Sequence, residues 1–351
     1  MDKRRLFLGI LVKIFSIFFG IVLFLVSAEL ALRIFGYKKP AYSTILLPAA
    51  HEAEHFGLIS NAEGWIDGVH VKLNSKGLRD REYSFKKDSG VFRIFILGRC
   101  VVFGHGVESE KAYPKRLELL LNKNNGPQDK RRYEVINGGI PGQGRWPTHV
   151  EFFKKEAIKY QPDMLIFQWE IRPSRWDAVR QRQPFWVNFF ALNVVSRMPK
   201  GLCLTWFLYE KLKFYKWQFY WQEIMKEKDG EINYINERYS ESGVEWYEDK
   251  RSLEALFSFA QENNISVMVM ILPWMNYFNQ DHPFQRLYSL VIDICDSYKI
   301  KTLNFFDYFK TINPSQLWLG NDDRRPNRYA HEIMAQAIYE KLIKEGFLKH
   351  H

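Results

Sequence analysis

Cys100 occupies a position where side-chain chemistry is expected. The apolar run 92–97 (FRIFIL) ends at Gly98 and is followed by Arg99 and Cys100. In sheets of parallel strands, reactive groups sit on the loops that leave the carboxyl ends of the strands. A thiolate is a strong nucleophile, and a neighbouring arginine favours that form. The competing reading is an inert, buried thiol. Two histidines are candidate bases for Cys100: His105, just past it, and His331 near the C-terminus. The simpler reading of each is a surface or structural histidine. Asp323 and Arg325 stand close together late in the chain. Arg325 is excluded as a base, because a guanidinium does not deprotonate in proteins. The other two cysteines, Cys203 and Cys295, are far from Cys100 and form no CxxC pair. The spacing therefore calls for no disulfide framework, no metal site and no cofactor.

The elements that must position these residues follow from periodicity. Short apolar runs at 92–97, 133–136, 164–169, 267–272 and 302–306 read as strands. Helical spacing appears at 112–122, 148–159, 252–262, 284–298 and 329–346. Strands alternating with helices imply a three-layer α/β/α domain around a central parallel sheet. Residues 40–90 read as loop-rich, and 174–250 break the rhythm. The apolar stretch 6–28 is long enough to span a bilayer. It follows Asp2-Lys3-Arg4-Arg5, which favours a cytoplasmic N-terminus and places the bulk of the chain in the periplasm or outside the cell. A cleaved signal peptide ending at Val26-Ser27-Ala28 is the alternative. The resulting divisions are 1–36 for the cytoplasmic tip and transmembrane helix, 37–90 for a stalk and loop-rich lead-in, and 91–351 for the main domain, with an aromatic-rich helical insertion at 174–250.

Four sequence blocks resemble those of the SGNH/GDSL hydrolases. They are Gly98-Arg99-Cys100 with Phe103-Gly104, then Asn137-Gly138-Gly139-Ile140-Pro141-Gly142, then Pro162-Asp163, and finally Asp322-Asp323-Arg324-Arg325-Pro326-Asn327. The segment NSKGLRD (74–80) and the AELALRIFGY that continues the apolar stretch resemble anchored members of the family. That resemblance implies a nucleophilic serine at Cys100, an aspartate at Arg99, an oxyanion glycine at Gly142 and an oxyanion asparagine at Arg172. It also implies a triad aspartate at Asp323 and a triad histidine at Arg325. Gly142 and Asp323 are kept. The nucleophile, the asparagine and the histidine are replaced, and without the histidine ordinary acyl transfer has no general base.

Arg99, Arg172 and Arg325 would then face one pocket, with Asp323 and Glu170 as the nearby acids. Either these groups pair and close the cleft, or they leave a cationic concavity for an anionic polysaccharide. The stretch 204–225 (LTWFLYEKLKFYKWQFYWQEIM) mixes lysine with aromatic residues. It suits a membrane surface, a protein partner or internal packing. The net charge of +10 permits anionic partners, but no nucleic-acid-binding signature is visible. The expected function is a catalytically inactive, membrane-anchored structural or binding subunit of a larger assembly. The alternatives are a cell-envelope polysaccharide O-acyl esterase or acyltransferase using Cys100, and a binder of anionic glycan.

Overall fold

The computed structural model describes residues 3–37, 58–66, 68–124, 131–141, 146–171, 202–205, 207–208, 211, 230–275, 282–320 and 323–348. The chain divides into two compact units. One joins residues 1–40 to 174–230, and the other joins 41–173 to 231–351.

The first unit contains helix α1 (Lys3–Ile34). Its segment Phe7–Ile34 is apolar and long enough to cross a membrane, as a membrane anchor or a signal sequence would be. The side chains of Phe7 to Val26 all lie exposed, so this helix offers its apolar surface in every direction. A helix that is hydrophobic all round belongs in a lipid or a protein interior.

The second unit carries the α/β architecture. A hairpin, β1 (Glu63–Ile66) and β2 (Val69–Lys72), precedes the main sheet. Then follow β3 (Val91–Gly98), the single turn α2 (Cys100–Phe103), α3 (Tyr113–Lys123) and β4 (Arg132–Gly139). Next come α4 (Trp146–Lys155), β5 (Met164–Glu170), α5 (Gly230–Arg238), α6 (Val244–Glu262) and β6 (Ser266–Leu272). The chain closes with α7 (Gln285–Ser297), β7 (Lys301–Asn304), α8 (Phe306–Phe309), β8 (Trp318–Gly320), β9 (Asp323–Pro326) and α9 (Arg328–Lys344).

The main sheet has five parallel strands in the order β4-β3-β5-β6-β7. That is a doubly wound order with its switch point at β3, where ligands of open α/β sheets bind. Alternate side chains of each strand feed separate cores, as the period-2 geometry of a strand requires. Phe95, Leu97, Phe167, Trp169 and Val269 join Trp146, Phe153 and Phe257 from α4 and α6. Ile94, Ile96, Ile166, Met268 and Met270 join Leu117 of α3 and Met334 and Ile338 of α9. Both faces are covered, which is why the strands read as unbroken apolar runs.

Two features differ from the sequence reading. The lead-in from Leu58 packs on the domain: Leu58, Ile66, Val71 and Leu73 form a small core with Phe103 of α2. The 174–250 stretch also contains α5 and the start of α6, whose Ile235 and Trp246 belong to the main core.

Candidate functional site

The first block forms the switch point. β3 stops at Gly98, where an added Cβ would come within 2.4 Å of Val102. Arg99 makes the turn, and Cys100 opens α2. Gly104 ends that turn in the left-handed region, at φ 78°. The backbone N–H of His105 donates to the carbonyl of Cys100 at 3.0 Å, so these two residues close one loop. Gly139 at the end of β4 backs directly on α2, because a Cβ there would lie 2.1 Å from the Phe103 nitrogen. Only glycine permits so close a strand-to-helix approach.

The NSKGLRD segment holds this loop in place. Asn74 accepts from the backbone N–H groups of Lys76 and Leu78, both at 2.9 Å, and forms the turn. Arg79 is 1% exposed. It donates to the carbonyls of Phe103 at 3.0 Å and Val107 at 2.8 Å, and also to that of Gly104. Burial pushes its pKa down to about 10. Asp80 accepts from Lys115 at 2.8 Å and from the Asn137 N–H at 2.9 Å, which ties α3 and β4 to the same segment. The sequence reading matched NSKGLRD to a family but assigned it no role. No local signal marks Arg79 as a buried cation, since its acceptors lie at least 24 residues away.

The charged residues of the site pair with one another. Arg99 at the end of β3 donates to Glu170 at the end of β5 at 3.1 Å, and its guanidinium lies 5.8 Å over the Trp146 ring. Arg325 on β9 donates through Nε to Asp323 at 2.8 Å and through a second nitrogen to the other carboxylate oxygen. It also contacts Nδ1 of His105. The structure thus brings together His105, Asp323 and Arg325, and it joins Arg99 to Glu170. Asp323 lies on a hairpin strand, and Asn327 caps α9 by accepting from the Ala330 N–H at 3.1 Å.

This arrangement limits proton transfer. Arginine can only donate, so in this contact Nδ1 of His105 stands as the acceptor. A lone pair engaged in this way is not free to accept a proton from a nucleophile. His331 does not belong to the site. It is fully buried, accepts from the Tyr113 N–H at 3.1 Å and stacks on that ring. Burial, with the positive charges of Arg79 and Arg116, pushes its pKa down to about 3. Cys100 is partly exposed, whereas Cys203 and Cys295 are buried. Burial raises the Cys295 thiol to about 12. Gly142, Arg172 and most of 204–225 lie outside the described residues. Among the described residues, no group of three or more His, Cys, Asp and Glu could hold a metal ion. A groove of about 470 Å³ runs between α3 and α9, lined by Leu119, Ile333 and Glu340, and shares no residue with the site.

No family model matches the chain, and no curated protein matches it. Several solved structures are similar to it. The psychrotrophic esterase EstA from Pseudoalteromonas sp. is 15% identical, with a TM-score of 0.42, over 73% of this chain and 99% of its own. The lipase/acylhydrolase from Enterococcus faecalis is 10% identical, with a TM-score of 0.41, over 72% and 96%. A catalytic mutant of an acetylxylan esterase from Geobacillus stearothermophilus is 16% identical, with a TM-score of 0.42, over 72% and 94%. The fold is SGNH-hydrolase-like, an α/β domain around a five-stranded parallel sheet.

Proposed function

We propose that this chain is a membrane-anchored, SGNH-hydrolase-like protein that does not turn over esters, and that it serves as a structural or binding subunit on the periplasmic or extracellular side. The observation that carries this reading is the charge pairing at the strand ends. An acyl-transfer site needs its aspartate to orient an imidazole and that imidazole to hold a free lone pair. Here Asp323 is engaged by Arg325, and the same guanidinium also contacts the imidazole of His105. The pairing also leaves Arg99 and Arg325 with carboxylate partners, so an anionic glycan would have to displace Glu170 and Asp323.

Incubation with p-nitrophenyl acetate followed by intact-mass measurement tests the catalytic half. The expected spectrum is that of the unmodified chain. A second reading, acyl transfer through Cys100, draws on the partial exposure of that thiol. An acetyl adduct that disappears in Cys100→Ala would replace the first reading with the second. Extraction in gentle detergent tests the subunit half. A stoichiometric co-purifying protein is expected, and a sharp monomer at native expression would count against it.

A further inference from the structure

The anchor helix and the start of the aromatic stretch are joined by a specific contact within the first unit. Glu29 lies on α1, and its carboxylate accepts from the backbone N–H of Cys203 at 3.1 Å and of Leu204 at 2.8 Å. Arg33, one turn further along α1, donates to the same carboxylate at 2.7 Å. The Tyr37 and Phe207 rings meet edge-on at 5.8 Å. The first turn of the segment that begins at Leu202 therefore lies against the last turns of α1.

The position of Glu29 sets the depth of that turn. Counting from Phe7, Glu29 lies about 33 Å along the helix, and the hydrocarbon core is roughly 30 Å thick. A carboxylate at that level stands at the boundary between acyl chains and headgroups. It is compatible with that place because it is bonded to a cation and to two amides. The chain that continues from there has nine aromatic residues and three lysines among residues 204–225. Phe207 and Leu208 are half-buried, Lys211 is exposed, and its ammonium sits 5.5 Å from the Phe207 ring centre. Tryptophan, tyrosine and snorkelling lysine are the residues that favour a membrane interface.

We propose that the turn opening at Leu202, with Phe207 and Lys211 beyond it, is a second membrane-contacting element. Its first turn is pinned at the headgroup level by Glu29, and the surface it contacts is the lipid interface itself. The inference rests on the anchor reading of α1 and adds to it. The Glu29 contact also bears on processing: cleavage after Ala28 would leave Glu29 as a free N-terminus, without the helix that places it.

The test uses the full chain with all three native cysteines changed to alanine and Lys211→Cys labelled with an NBD fluorophore. Cys203→Ala leaves the Glu29 contact intact, because only the backbone N–H of that residue takes part. The protein is reconstituted into vesicles of phosphatidylcholine and phosphatidylglycerol. The expected result is quenching by lipids carrying a shallow doxyl group, little quenching by aqueous iodide, and a several-fold loss of lipid quenching in Glu29→Ala. Glu29→Gln, which keeps one acceptor oxygen, should retain part of it. A label quenched by iodide and not by doxyl lipid overturns the proposal. So does a label shielded from both, which would mean burial against protein. Lipid quenching unaffected by Glu29→Ala removes the pinning role. Carbonate extraction of the same samples tests the anchor separately: release from the pellet defeats the anchor reading, whereas retention without quenching defeats only this inference.

Discussion

Replacing Arg79 tests whether the lead-in segment holds the site loop. Its guanidinium serves three carbonyls, those of Phe103, Gly104 and Val107. The Gly104 carbonyl keeps a second donor, the Val107 N–H at 3.1 Å. Arg79→Ala therefore leaves two interior carbonyls dependent on whatever water can enter. An unsatisfied buried polar group costs about 1–3 kcal/mol. Loss of the guanidinium over the Phe103 ring, at 5.3 Å, adds roughly 0.5–1 kcal/mol. Relief of the cation's own desolvation offsets part of this. The net expectation is about 3–5 kcal/mol, read as a fall in Tm of roughly 6–10 °C for a domain of this size. Thermal unfolding of the detergent-solubilised chain, followed by tryptophan fluorescence, measures it. Arg79→Lys should fall between wild type and Arg79→Ala, because an ammonium is a single-point donor. A loss below about 1 kcal/mol in Arg79→Ala would show that the loop stands without this clamp.

Two further outcomes follow from named contacts. His331 is neutral when folded, with a pKa near 3, and an unfolded histidine titrates near its usual 6.5. Between those values the unfolded chain binds the extra proton, so stability falls as pH falls, by about 1.4 kcal/mol per pH unit. Urea titrations from pH 7 to pH 4 should show this slope. His331→Asn should remove roughly half of the histidine-linked slope, because His282, whose pKa burial lowers to about 4, titrates over nearly the same range; an unchanged slope refutes the assignment. Gly139→Ala places a methyl group 2.1 Å from the Phe103 nitrogen, against backbone that cannot step aside. It should cost more than about 3 kcal/mol, seen as a large loss of folded yield or of Tm, and near-wild-type stability would contradict the packing of β4 on α2.

The sheet was legible because its strands are buried on both faces. Runs such as 92–97 and 267–272 are uninterrupted hydrophobic stretches, and in the structure they pair in register as central parallel strands. The β1–β2 hairpin was not legible, because its strands are four residues long and each mixes exposed with buried positions. Asp323 and Arg325 were placed together by sequence, but the contact of Arg325 with His105, 220 residues away, was not legible. The same limit hid Arg79. Its neighbours in sequence form a turn, and its acceptors come from another part of the chain. Residue identities named Cys100, Asp323 and Arg325 as candidates; which groups meet there required the three-dimensional pairing.

The central claim is that Asp323, Arg325 and His105 form a closed pairing with no general base. The most direct measurement is the initial rate of p-nitrophenyl acetate hydrolysis by the purified full chain, beside Cys100→Ala, across pH 5–9. Equal rates for the two proteins at every pH are predicted. Turnover that is lost in Cys100→Ala and rises through a pKa near that of an imidazole would contradict the account.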